Sequence, residues 1–281
     1  MNTVAQFDFF SSACSKSVTQ LYSTSFYSAI QLLSSDIRKP ICSIYGMVRL
    51  ADEIVDTFHA FDKQQLLENF KKDTFDSIKS GISLNPILQS FQQTVNRYNI
   101  ENELIEAFFE SMEKDLNKSV YTNQSEFMEY IYGSAEVVGL MCLYVFCDGN
   151  KVLFDSLKVY AKALGSAFQK INFLRDLQSD VEDLKRTYFP GFKSSTFNNN
   201  LKQSIEKDIE TDFRLAHTGI KRLPLNSRFG VYVAYRYYLA LFKKVKKTSS
   251  KTILKERVRI PNHMKMVIVL KAGLRNQLNL I

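Results

Sequence analysis

Two pairs of aspartates, Asp52/Asp56 and Asp176/Asp180, stand four residues apart within otherwise apolar stretches and are the residues of this chain best suited to chemistry. Four residues is just over one helical turn, so each pair aims two carboxylates the same way from one helix face. Burying such charges is costly unless a cation neutralises them. Two pairs on separate helices therefore point to divalent metal ions held in a cavity between those helices.

The neighbours sharpen this. At about 100° per residue, Tyr45, Arg49, Asp52 and Asp56 share one stripe, and Gln169, Asn172, Asp176 and Asp180 share another. A core helix would place Leu or Ile at these spacings. Apolar residues flank both stripes (Ile44, Val48, Ile54 and Val55; Phe168, Ile171, Phe173 and Leu174), so both helices are expected at the centre of the molecule. Either pair alone reads more readily as a solvent-facing row of acids paired with lysines. Both together, with Arg, Asn, Gln and Tyr alongside, favour a site. Carboxylate oxygens suit Mg²⁺, or Mn²⁺ in its place, which is commonly bound through a few carboxylates plus substrate phosphates. Arg49 and Arg175 beside the acids add forks that match phosphate oxygens. The combination suggests metal-assisted departure of a diphosphate.

Positioning these groups requires long helices. With 281 residues and a hydrophobic fraction of 45%, the chain can bury a full core. Its 10 Gly and 5 Pro are few for a fold of many short strands, so the chain is expected to be all-α, with residues 1–281 forming a single domain. Helical patterns run over about 3–21, from the Ser23-Thr24-Ser25 break through Leu33, and from Pro40 through the first aspartate pair. Others cover about 63–79, 84–97, 101–117, 124–147, Asp155–Lys185, 201–219, 226–248 and 261–279. Pro190-Gly191 is expected to stop the helix that carries the second pair.

The net charge of +8 is uneven: from Lys243 onward there are eleven Lys/Arg against one acid, Glu256. Such a basic C-terminal region is suited to an anionic membrane surface or a polyanionic substrate. No nucleic-acid-binding motif accompanies it, so nucleic acid is not expected as a partner. Four cysteines without CxxC spacing, far from the three histidines, fit a reducing cytoplasm rather than a zinc or disulfide framework. The longest apolar run, Val137–Cys147, falls short of the roughly 18 residues needed to span a bilayer. A cytoplasmic protein, at most peripheral to the inner membrane, is expected.

With these residues in view, the chain resembles the phytoene/squalene synthases, a family of head-to-head prenyl transferases. Tyr22-Ser-Thr-Ser-Phe26 resembles the family's H-S-K-S-F opening, and Tyr45 through Arg49 to Asp52-Glu-Ile-Val-Asp56 its first aspartate-rich motif. Tyr132-Gly-Ser-Ala-Glu-Val-Val-Gly139 resembles Y-G-x-A-x-x-V-G. Gln169-Lys-Ile-Asn172-Phe-Leu-Arg175-Asp176 through Asp180 to Tyr188 is similar to Q-x-x-N-x-L-R-D-x-x-x-D followed by R-x-Y. Arg257-Val-Arg-Ile-Pro261 resembles a stretch of phytoene synthases. The chain departs from the family pattern at Tyr22 and Thr24, where His and Lys are common. It departs again at Ser179, where an acid is common, and at Lys185, where glycine is frequent.

The resemblance implies an isoprenoid-synthase helical bundle around a central apolar cavity that takes two allylic diphosphates. Asp52, Asp56, Asn172, Asp176 and Asp180 would hold Mg²⁺. Ser23, Ser25, Tyr45, Arg49, Arg175, Arg186, Tyr188, Tyr238 and Arg257 would contact diphosphate, and Gln169 and Tyr132 would face the reacting carbons. Without a dinucleotide fingerprint or a membrane anchor, the expected reaction joins two geranylgeranyl diphosphates to phytoene through a cyclopropylcarbinyl diphosphate, with no NADPH. The alternative forms dehydrosqualene or squalene from two farnesyl diphosphates. A non-catalytic relative is disfavoured because both aspartate pairs are intact.

Overall fold

The computed structural model describes residues 3–183, 185–193 and 197–278, and its regular elements among these are helical. In chain order they are α1 (Thr3–Tyr22), α2 (Thr24–Ile30), α3 (Ser35–Asp56), α4 (Lys63–Ser80), α5 (Pro86–Tyr98), α6 (Asn102–Asn117) and α7 (Gln124–Ile131). A single π turn (Tyr132–Glu136) follows, then α8 (Val137–Phe146), α9 (Lys151–Glu182), α10 (Asn199–Ile220), α11 (Leu225–Lys247), α12 (Ser250–Ile253) and α13 (Asn262–Gln277). The all-α expectation holds.

Boundaries differ from expectation where local chemistry intervenes. The helix predicted to open at Pro40 opens at Ser35, with Pro40 buried inside it. Pro40 is the sixth residue of this helix, past the first turn in which a proline removes no intrahelical hydrogen bond. The predicted Asp155–Lys185 helix runs instead from Lys151 to Glu182. Asn150 caps its start by accepting from the Leu153 N–H at 3.0 Å. Its end comes before Pro190: Lys185 takes a left-handed φ of 55°, and the Arg186 N–H reaches back to the Asp180 carbonyl at 2.7 Å. The predicted 124–147 helix is broken by the π turn.

The two helices that carry the aspartates are central. α3 packs against α1, α5 and α8, while α9 packs against α8, α10 and the π turn. The apolar run of α8 is buried core, with Val137, Met141 and Val145 fully enclosed. Where α9 crosses the π turn, a Cβ on Gly165 would lie 2.6 Å from the Ala135 carbonyl oxygen, so that crossing admits only glycine. On its opposite side α9 is clamped to α10. The ammonium of Lys170, 2% exposed, sits 2.5 Å from Asp208 and 2.8 Å from Asp212, and Ser166 donates to Asp212 at 2.7 Å. A buried lysine is stable only when paired in this way.

The segment after α9 is pinned by a two-sided backbone bridge. Thr187 N–H donates to the Ser119 carbonyl at 2.7 Å, and Tyr121 N–H to the Thr187 carbonyl at 3.1 Å. No helix among the described residues is long and apolar enough to cross a membrane.

Candidate active site

A cavity of about 580 Å³ runs between α2, α3, α8, α9 and α11, with all four aspartates in its wall. Along α9 its lining extends from Leu157 to Asp180, and along α3 from Ile41 to Asp56. Both helices place their carboxylates towards their C-terminal ends, so the acids gather at one end and apolar side chains such as Phe26, Ile30, Val138 and Leu164 line the rest. Periodicity on each helix made this possible, and the shared core packing brings the two stripes face to face.

The acid cluster is short of positive charge. Burial, and then the adjacent Asp56, push the Asp52 carboxyl from 3.8 up to about 8, against the pull of Arg49. About 34% of the Asp52 side chain is open, and Asp52 lines the cavity. Burial, followed by Asp176 and Asp56, raises Asp180 to about 8. The influence of Asp56 on Asp180 means that the α3 and α9 acids face one another. Carboxylates converging without enough counter-charge fit a hard divalent cation. Among the described residues no three His, Cys, Asp or Glu side chains form a closed metal cage.

Cations ring the acids. Arg49 pairs with Glu53 and lies 3.9 Å from Asp52, with its guanidinium 4.4 Å from the centre of the Tyr22 ring. Its Nε is buried and without a partner among the described residues, a donor left over for an anionic ligand. Arg175 Nε donates to Asp176 at 2.9 Å, and Arg257 Nε lies 2.6 Å from the same carboxylate. Arg186 Nη1 donates to Asp56 at 2.7 Å and Nη2 to the Asp115 carbonyl at 3.0 Å. Tyr238 hydroxyl donates to Asn172 Oδ1 at 3.2 Å, with its ring stacked on Phe168 at 3.8 Å. Burial holds the Tyr45 hydroxyl up at about 12, so it is a neutral donor.

The cavity wall therefore includes Ser23, Tyr45, Arg49, Asp52, Asp56, Gln169, Asn172, Arg175, Asp176, Asp180, Arg186, Tyr188, Tyr238 and Arg257. Tyr188 is nearly buried in a stack, 3.9 Å from Phe173 and 5.2 Å from Tyr130, and meets the cavity mainly through this stack. Two expected residues lie elsewhere. Ser25 is half-buried outside the lining. Tyr132 also lies outside it, its ring 4.9 Å from the Lys162 ammonium, because the π turn begins at this residue.

Tyr130 takes the place expected of Tyr132. It lines the cavity and donates from its hydroxyl to Asp115 Oδ2 at 2.6 Å. Asp115 itself was not anticipated. Burial lifts it to about 7 despite Arg186 and Tyr130, and its Oδ1 has no partner among the described residues. Its signal lay in α6, where Phe108, Met112 and Asp115 follow helical spacing and put an acid on an apolar face. Lys265 was also missed. Its ammonium reaches Thr24 Oγ1 at 3.4 Å, so α13 delivers a cation to a spot where Thr24 replaces the common lysine.

Comparison with known proteins agrees with this geometry. The sequence profile described as squalene/phytoene synthase matches residues 19–263. The chain is 26% identical over 247 residues to phytoene synthase 1, chloroplastic, of Zea mays, covering 81% of this chain and 60% of the maize protein. It is 25% identical over 284 residues to the phytoene synthase of Arthrospira platensis, covering 92% of this chain and 91% of that protein. A crystal structure of a dehydrosqualene synthase superposes with a TM-score of 0.83 at 19% identity, covering 97% of this chain and 98% of the other.

Proposed function

This chain belongs to the squalene/phytoene synthase family, and from that premise we propose that it is a prenyl transferase joining two geranylgeranyl diphosphates head to head to give phytoene. The observation that carries this reading is the pair of facing aspartate stripes at one end of a long apolar cavity. From Leu157 to Asn172 the lining follows sixteen residues of α9, about 22 Å of helix, which suits an extended twenty-carbon chain.

Asp52, Asp56, Asp176 and Asp180, with Asn172, would hold Mg²⁺, or Mn²⁺ in its place, together with the diphosphate. When bound, the metal supplies charge stabilisation to the departing diphosphate. Arg49 offers its free Nε, and Arg175, Arg186 and Arg257 stand ready to exchange part of their carboxylate pairing for phosphate oxygens. Ser23, Tyr45 and Tyr238 add neutral donors. The first allylic C–O bond then breaks with both electrons leaving on diphosphate. The double bond of the second molecule attacks the cation, and proton loss closes a cyclopropylcarbinyl diphosphate. A second departure, rearrangement and proton loss give the hydrocarbon, with no hydride and hence no NADPH. Gln169 and Tyr130 face this space, and the apolar wall excludes water that would quench the cations.

A second reading, dehydrosqualene or squalene from two farnesyl diphosphates, is favoured by the likeness to the dehydrosqualene synthase structure. Purified protein given each diphosphate with Mg²⁺ separates them by product length. We expect a C40 hydrocarbon from geranylgeranyl diphosphate. A C30 product alone would overturn the chain length, and no hydrocarbon from either would overturn the activity. We read the chain as one cytoplasmic domain working peripherally at a membrane, since substrate and product are greasy.

A further inference from the structure

α13 is apolar on two opposed sides. Ile268, Val269 and Ala272 pack inward, and α13 runs along α11. Met266, Leu270 and Leu274, four residues apart, are 65%, 64% and 61% exposed, and Val267 extends the same strip. A globular surface helix keeps one side polar, and a helix that is apolar on both sides has something covering its outer face.

The charge beside that strip says what covers it. α13 contains Lys265, Lys271 and Arg275 and no acid. Arg275 shares the Tyr232 hydroxyl with Arg236, whose Nη1 donates to it at 2.9 Å. Two guanidiniums thus converge on one phenolic oxygen, and neither has a carboxylate ion pair among the described residues. The start of α13 touches the cavity mouth, since Lys265 reaches Thr24 beside the lining residues Tyr22 and Ser23.

We infer that the outer face of α13 is the surface on which this protein sits on an anionic phospholipid bilayer, with the leucine and methionine strip in the acyl region and Lys271, Arg275 and Arg236 at the headgroup phosphates. This rests on the reading of the chain as a peripheral enzyme of greasy substrates, and it assigns the surface that reading lacks. Insertion of a few apolar side chains plus basic attraction is the recognised mode of interfacial helices.

The test is co-sedimentation of the full chain with vesicles of equimolar phosphatidylglycerol and phosphatidylcholine, against phosphatidylcholine alone, across a salt series. Binding to the anionic vesicles, weakened by salt, is expected. The double variant Leu270→Glu/Leu274→Glu should partition about 100-fold more weakly, with thermal unfolding and turnover of detergent-dispersed substrate unchanged. No binding of the parent to anionic vesicles, or equal binding of the variant, overturns the assignment. So does a parent dimer in light scattering that the variant dissociates, since the strip would then meet a second copy. Turnover without vesicle binding removes this surface and leaves the enzymatic reading in place, whereas vesicle binding without turnover does the opposite.

Discussion

Arg186 holds Asp56 at 2.7 Å across 130 residues of chain, and its other nitrogen holds the Asp115 carbonyl at 3.0 Å. One guanidinium thereby joins the segment after α9, the end of α3 and the end of α6 at the acid cluster. Arg186→Gln should lower stability by about 1–3 kcal/mol, because it leaves the buried Asp115 carbonyl without its partner and frees Asp56. Urea unfolding measures this, and Arg186→Lys should recover little, since an ammonium cannot span both acceptors. A neutral outcome for both variants would remove the bridge.

Asp52→Asn and Asp176→Asn should each reduce hydrocarbon formation by about 100-fold or more if they anchor the charge that stabilises diphosphate departure. Asp52→Asn should nonetheless fold at least as stably as the parent without divalent ions, because it removes a carboxyl held at about 8 by burial and Asp56. Activity and melting temperature moving in opposite directions is the signature to look for. Unchanged turnover in either variant would disprove their role in ionisation.

The same carboxyls set a pH dependence. Asp52 and Asp180 titrate near 8 in the folded chain against 3.8 ordinarily, so the native state holds protons that the unfolded chain has released. Stability from these groups then falls as pH rises from about 4 to about 8 and levels off above that. With divalent ions chelated, the melting temperature should drop across this window, and the drop should be shallower in Asp52→Asn. Mg²⁺ with inorganic pyrophosphate should raise the melting temperature most at the alkaline end, where the acids are free of protons. A melting temperature rising through the window would contradict the acid cluster as described.

Tyr130 and Tyr132 separate cleanly. Tyr132→Phe should leave turnover within about twofold, since the ring lies under Lys162 outside the cavity. Tyr130→Phe removes the donor to the buried Asp115 and should cost about 1–2 kcal/mol of stability and a larger share of activity. The reverse ranking would place Tyr132 in the site after all.

Lys185 adopts φ of 55°, a conformation that costs a side-chain-bearing residue roughly 1 kcal/mol. Lys185→Gly should therefore be neutral or slightly stabilising, and Lys185→Val should destabilise by about 1–2 kcal/mol, as β-branching worsens the clash. Chemical denaturation of the two variants gives the comparison.

The two aspartate stripes were legible in the sequence because helical periodicity is local. Polar and charged groups at 45, 49, 52 and 56, or at 169, 172, 176 and 180, interrupt an apolar face whatever the rest of the chain does. Few glycines and prolines likewise settle the all-helical class without reference to long-range contacts. Other parts of the site were not decided by any local pattern. The choice between Tyr130 and Tyr132 depends on where a π turn shifts the helix face, and that turn forms where α9 presses Gly165 against Ala135. Asp115 becomes part of the acid cluster only because α6 packs beside α3 and the Arg186 segment folds back over both. Lys265 reaches Thr24 from 241 positions away, and Arg257 reaches Asp176 from 81. A repeat of 3.6 residues tells each helix which face to bury. Which buried faces meet, and which cations arrive among them, is decided by packing, where shape and charge from distant segments must be satisfied together.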